Sequence, residues 1–361
     1  MPSDFFPHVG GVEEMTLRLA QTLQSRGVRV LVVTNRWPVD LPAREIVEGV
    51  EVARVRFTMP ARRPGSHRRH LQNRRAADRA LADLPQPDLV HVHCGSSQLS
   101  FARRYAQKRK LPLIFTTHGE SIVDAQNIYG KNPYLRRQYR KISVEAALLT
   151  ACSTWTKDQA SRLAPRFADA EVVLNGINPT AWEGVTSVID EPVFGAYGRH
   201  VPQKGYDLLL QAFALVLQQL PTARLLLGGD GPDRRALEQL AGPQVEFLGS
   251  LDRRGVADLL SACRVIVVSS RVESFGIVAV EALAAGRGLV YADNGGLREA
   301  ADDCGRICAN EDVTALAAAM VAEFHQPTEV ARGRARAARL SWDSVTDQYC
   351  RVYDQARSSV A

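Results

Sequence analysis

Several things that would declare this chain's class are scarce or absent from its 361 residues. The six cysteines, Cys94, Cys152, Cys263, Cys304, Cys308 and Cys350, are scattered with no C-x-x-C pair, which argues against a zinc ribbon, a thioredoxin-type motif or a disulfide framework. Cys304 and Cys308 could share one helix face, but two thiols without a histidine partner make a poor metal site. No apolar run approaches the roughly 20 residues of a membrane span, and no secretory leader precedes the first motif, so a reduced cytoplasmic location is expected. A D-x-D pair, the common holder of a divalent metal on a diphosphate, is missing. Lysine is scarce as well, with six against 39 arginines.

What is present points to a two-domain globular chain. Hydrophobic residues make up 45% and mean hydropathy is −0.15, at a length that supports two separate cores. Charge is uneven: residues 1–180 carry 27 Lys+Arg against 16 Asp+Glu, whereas the remainder carries 18 against 23. Arg62, Arg63, Arg68, Arg69, Arg74, Arg75 and Arg79 form one basic cluster; Arg103, Arg104, Lys108, Arg109 and Lys110 form another. Such a half would suit an anionic acceptor, a membrane surface or nucleic acid, but a solvated arginine-rich surface accounts for it. The helix-like stretch from His67 to Leu84 offers only Leu71, Ala77, Leu81 and Leu84 as an apolar stripe, which is meagre for insertion. Peripheral membrane contact is therefore not favoured. Nucleic acid is not an expected partner, since no helix-turn-helix, zinc finger or aromatic-basic platform is found.

Strand-like and helix-like runs alternate, which predicts an α/β chain with two doubly wound parallel sheets. The expected strands are Val28–Thr34, Leu89–His93, Leu113–Thr117, Leu148–Cys152 and Val172–Leu174 in the first half. In the second half they are Val193–Tyr197, Arg224–Gly228, Val245–Leu248, Val265–Ser269 and Leu289–Ala292. A helix is expected over Val12–Ser25, and another, rich in aromatics, over Trp342–Ala356. A linker at about Asn178–Pro192 would leave a cleft between the domains.

The richest stretch chemically is Glu273-Ser-Phe-Gly-Ile-Val-Ala-Val-Glu281, two carboxylates eight positions apart across a glycine turn. It follows an apolar strand and opens a helix, so its backbone N–H groups should face the crevice where α/β proteins take anionic ligands. Eight helical residues span roughly 12 Å, so the two carboxylates should hold different ends of an extended ligand. Arg199 and Lys204, after the first strand of the second half, can neutralise a diphosphate.

This stretch resembles the E-x7-E signature of the retaining nucleotide-sugar glycosyltransferases of family 4, which have the GT-B fold. Other segments agree in order: Phe5–Glu13 with Gly10-Gly11, Thr116-Thr-His-Gly119, Val173–Asn178, and Gly198-Arg199 with Lys204-Gly205. The resemblance implies two Rossmann-like domains facing a central cleft. The acceptor-side domain would be residues 1–180 and the donor-binding domain residues 181–342, with residues 343–361 packing back on the first. It implies that Glu281 bonds the ribose hydroxyls, while Glu273 with Ser274, Phe275, Gly276 and Ile277 holds the transferred sugar. It also implies that His118 contacts the hexose and that Gly10 and Gly11 belong to the donor loop. Phe247–Leu251, including Gly249 and Leu251, would flank the base through main-chain contacts, which does not separate UDP from GDP or ADP.

The expected activity is transfer of a hexosyl or N-acetylhexosaminyl group to a hydroxyl on a small molecule or glycan. UDP is the expected carrier, and no metal or other cofactor is needed. Glu120 and Asp124 are acceptor-side candidates, but neither belongs to a nucleophile motif, which favours front-face transfer. The competing reading is a sugar-nucleotide-binding protein of the same fold acting as an epimerase or sensor. One departure stands out: the family's first strand leads straight into the glycine-rich loop, whereas here only Met1–Asp4 precede Phe5. Either the start lies upstream or the first sheet lacks that strand, and Gly10-Gly11 would then lose its anchor.

Overall fold

A computed structural model describes residues 1–8, 10–60, 66–120, 128–182, 184–185 and 190–359. The chain divides into two units, Met1–Asn175 with Trp342–Ala361, and Gly176–Ser341. The division falls before the stretch expected as a linker. The described part of that stretch belongs to the second unit, because Trp182 and Val185 are buried there.

In the first unit the strands are β1 (Leu31–Asn35), β2 (Arg44–Val47), β3 (Val50–Val55), β4 (Val90–His93), β5 (Leu113–Thr117), β6 (Leu148–Ala151) and β7 (Glu171–Val172). They form two sheets, ordered β1-β3-β2 and β4-β5-β6-β7. β2 and β3, absent from the sequence expectation, make an antiparallel hairpin about Glu48 and Gly49, so this unit is not purely parallel. Among the described residues no strand precedes the helix Gly11–Ser25 and no ladder joins β1 to β4. Instead the backbone of Met1 runs beside β4, where His93 N–H donates to Met1 O at 3.2 Å.

The closing helix, Trp342–Ser358, returns to this unit as expected. Val345, Tyr349, Val352 and Ala356 recur at helical spacing, and they pack on Met15, Leu19 and Leu23 of the helix Gly11–Ser25. Each large apolar side chain buried there contributes about 1.5–3 kcal/mol. Arg26 adds an ion pair to Asp347 at 2.6 Å. In the basic helix Ser66–Ala82 the apolar stripe is used internally. Ala77 and Leu81, with Leu84 just beyond, pack on Val55, Phe57 and Phe101, and only Leu71 faces outward. Among the described residues no helix is long and apolar enough to cross a membrane.

The second unit holds β8 (Val193–Tyr197), β9 (Arg224–Gly228), β10 (Val245–Gly249), β11 (Val265–Val268), β12 (Gly288–Ala292) and β13 (Arg306–Cys308). All ladders are parallel, in the order β10-β9-β8-β11-β12-β13. Apolar runs such as Val265–Val268, buried along their whole length, are what a sheet covered on both faces requires. β13 was not expected, and it places Cys308 in a strand, so Cys304 and Cys308 do not share a helix face. The chain runs from β8 outward through β9 and β10, then crosses back to continue at β11. The gap between the carboxyl ends of β8 and β11 is therefore the topological switch point, where such sheets bind ligands.

Candidate active site

At that switch point the second unit gathers its charged residues. The loop leaving β8 carries Gly198 and Arg199 and turns through a short 3-10 helix, Pro202–Lys204. The loop leaving β11 runs from Ser269 to Gly276, which caps the helix Ile277–Ala284. Lys204 Nζ and Glu273 Oε2 meet at 2.6 Å, both side chains largely sheltered, and Ser270 Oγ donates to the same carboxylate oxygen at 3.4 Å. Arg199 is exposed, and its side chain has no hydrogen bond or ion pair among the described residues. One cation is thus held on a carboxylate and a second is available nearby in the chain.

The two loops are fastened to each other by groups that sequence reading missed. Arg271 N–H donates to Gln203 O at 2.8 Å, and Ser269 Oγ to Lys204 O at 3.0 Å. The Arg271 guanidinium grips Asp207 with bonds of 2.8 and 2.6 Å and also donates to Pro202 O at 2.8 Å. Charge-assisted forks of this kind fix geometry as well as adding energy. The carbonyl of Glu273 accepts from Gly296 N–H at 2.9 Å, and Asn294 Nδ2 donates to Ser270 O at 2.6 Å. At Gly295, with φ +58°, a Cβ would lie 1.9 Å from Glu273 O, so only glycine permits this approach. Gly229, with φ +114°, does the same beside Gly198 O, and its N–H donates to Gly249 O at 2.6 Å. Arg234 lies 4.8 Å over the Phe247 ring and reaches Gly229 O at 3.4 Å.

The structure separates the two glutamates by partner. Glu281 Oε2 accepts from the Tyr197 hydroxyl at 2.7 Å, whereas Glu273 faces Lys204. The helix begins only at Ile277, so the expectation of two full helical turns between them is corrected. The helical part of the interval, Ile277 to Glu281, rises only about 6 Å. Phe275 is buried and anchors the turn, and the first N–H groups of the helix lack intrahelical acceptors. Gly249 ends β10, and Leu251 follows it, half-buried.

In the first unit, Gly10 caps the helix Gly11–Ser25 in an extended conformation. His118 is buried, with Nε2 at 3.3 Å from His93 Nδ1. His93 lies against His91, which bonds Thr116 at 2.6 Å and the Tyr353 hydroxyl at 3.0 Å. His91 and His93 are thus the sheet-borne backing of His118. Glu120 is committed locally: one carboxylate oxygen accepts from Gly95 N–H at 2.7 Å, the other from His118 N–H at 2.8 Å and Thr117 Oγ1 at 3.1 Å. These bonds shape the loop that presents His118. Asp124, like Arg62 and Arg63, lies outside the described residues.

Burial pushes all three histidines down, His118 to about 4, with the neighbouring histidines adding to the effect at His91 and His93. A histidine depressed on folding gives its full stability above the ordinary value of 6.5 and loses it as pH falls toward the folded value. The urea midpoint is accordingly expected to fall between about pH 7 and about pH 5, and to fall less steeply in His118→Asn. Parallel slopes for variant and wild type would contradict the assignment.

Known proteins share this arrangement of sequence and fold. The model for Glycosyltransferase Family 4 matches residues 9–181, and that for Glycosyl transferases group 1 matches residues 191–325. An uncharacterized glycosyltransferase of Bacillus subtilis, YqgM, is 30% identical over 68% of this chain and 70% of its own. A phosphatidyl-myo-inositol mannosyltransferase of Mycobacterium leprae is 28% identical over 97% of this chain and 94% of its own. The solved structure of Anabaena HepE in complex with UDP and glucose superposes with a TM-score of 0.73 at 18% identity, covering 98% of each chain. Fold, sequence models and relatives agree: the chain has the GT-B fold and belongs to the family 4 glycosyltransferases.

Proposed function

We propose that this glycosyltransferase moves a hexosyl or N-acetylhexosaminyl group from a UDP-sugar to a hydroxyl acceptor, with retention of configuration and without a divalent metal. The observation that carries the reading is the pairing of Lys204 with Glu273 at the switch point, with Arg199, unpaired among the described residues, earlier on the same loop as Lys204. Two cations there can replace a metal in meeting the diphosphate charge, and the amides opening the helix Ile277–Ala284 supplement them. The uridine assignment is supported by the Anabaena protein of like fold that was solved with UDP and glucose.

In the proposed step the bond between the sugar C1 and the diphosphate oxygen breaks while the acceptor oxygen bonds C1 from the same face. The acceptor's proton passes to the departing phosphate oxygen, so no enzymic nucleophile is needed. The protein's part is orientation and charge stabilisation. Glu273 and the amides beside it are assigned to the transferred sugar, Glu281 to the ribose, and His118 to the hexose. Gly10 and Gly11 are assigned to the donor loop. Glu120, tied into its own loop, serves the acceptor side through the position of His118 rather than as a reacting carboxylate.

Incubation with UDP-, GDP- and ADP-sugars, following nucleoside diphosphate release and the anomeric signal of the product, tests this reading. Release from a UDP-sugar that EDTA leaves unchanged, with an α product from an α donor, is the expected result. Loss on chelation restored by Mn²⁺ or Mg²⁺ would overturn the metal-free step, and an inverted product would overturn retention.

A further inference from the structure

Tyr197 is the last residue of β8, directly ahead of Gly198 and Arg199, and its main chain is locked into the ladder opposite Gly228. Its hydroxyl reaches across the switch point to Glu281 Oε2 at 2.7 Å, a contact between residues 84 apart in sequence. Glu281 is the one charged residue on the otherwise apolar helix Ile277–Ala284. Burial, then the Glu281 charge, pushes the Tyr197 phenol well above its usual range, so the hydroxyl stays protonated and remains a donor.

We propose that Tyr197 is a positioning residue for nucleotide recognition: its hydroxyl presets the Glu281 carboxylate in the orientation that receives the donor's ribose hydroxyls. The inference rests on reading Glu281 as the ribose contact. A glutamate side chain has three rotatable bonds, and ordering it on binding costs entropy unless the free protein already holds it. A tyrosine ordered by its strand supplies that hold from a rigid platform. The hydroxyl donates only one bond to the carboxylate, so it orients without neutralising the charge that attracts vicinal hydroxyls.

The test is calorimetric titration of wild type, Tyr197→Phe and Glu281→Gln with UDP and with 2′,3′-dideoxy-UDP. In wild type, UDP should bind more tightly than its dideoxy analogue. Tyr197→Phe should weaken UDP by about three- to tenfold, the scale of one lost hydrogen bond, and leave dideoxy-UDP unchanged. In turnover the same variant should raise the donor KM by a similar factor while kcat falls less than about twofold. A merely structural tyrosine would weaken both ligands alike; that result, or undiminished UDP binding, overturns the proposal. The two failures are distinguishable. If Glu281→Gln loses the ribose preference while Tyr197→Phe keeps it, Tyr197 alone is misassigned. If wild type binds both ligands equally, the ribose role of Glu281 falls and the proposal falls with it.

Discussion

Lys204→Ala is expected to lower kcat by about 10²–10³-fold, the loss of about 2.7–4 kcal/mol that follows removal of one preorganised charge donor from a reacting site. The loop should survive the change. Its backbone is held by Arg271 N–H on Gln203 O and by Ser269 Oγ on Lys204 O, and the Arg271 guanidinium grips Pro202 O and Asp207. None of these bonds uses the lysine side chain. What disappears is the ammonium that sits on Glu273 at 2.6 Å and that is proposed to meet the diphosphate. Lys204→Arg should fail as well, because a planar fork does not reproduce a compact ammonium in a space already shared with a carboxylate and Ser270. Steady-state kinetics with a melting curve for each variant check this. A normally folded Lys204→Ala with kcat within about fivefold of wild type would remove Lys204 from the machinery.

Glu273→Gln and Glu281→Gln are expected to fail in different parameters. Glu273→Gln should lower kcat by about 10²-fold, since a sheltered charged hydrogen bond to the reacting sugar strengthens as its geometry changes. Its affinity for free nucleoside diphosphate should hold or rise, because glutamine no longer competes for Lys204. Glu281→Gln should raise the donor KM and weaken nucleoside diphosphate by about tenfold with little change in kcat, since a ribose contact persists from ground state to transition state. Equal weakening of nucleoside diphosphate in both variants would mean that both carboxylates serve the nucleotide. The transferred sugar would then not lie beside Glu273.

How far these residues could be read from the sequence depended on whether the signal was local. Val193–Tyr197 and Arg224–Gly228 match their strands residue for residue, because a buried parallel strand is an unbroken apolar run bounded by turn residues. The β2–β3 hairpin was missed because Glu45, Glu51 and Arg54 interrupt its apolar positions, although Glu48-Gly49 between valines was a hairpin signal. The motif residues Arg199, Lys204, Glu273 and Glu281 were singled out because each sits in a short recognisable context. Their partners were not: Tyr197 with Glu281 and Arg271 with Asp207 are 84 and 64 residues apart, and nothing local announces such a contact. The 12 Å spacing assigned to E-x7-E failed for a different reason: it ran the helix back through the glycine turn, whereas Gly276 caps a helix that starts at Ile277. The triplet Asn294-Gly295-Gly296 at a strand end carried a turn signal, but the closeness of Gly295 to Glu273 O is visible only in three dimensions.

The central claim is that the loops leaving β8 and β11 form a nucleoside diphosphate site whose diphosphate grip depends on Lys204. Titration of wild type and Lys204→Ala with UDP and with UMP tests it most directly. Wild type should prefer UDP by at least about tenfold, the minimum for a charge-assisted contact to the second phosphate, and Lys204→Ala should lose most of that preference while UMP affinity changes little. Equal binding of UDP and UMP by wild type, or a full UDP preference retained in Lys204→Ala, would contradict it.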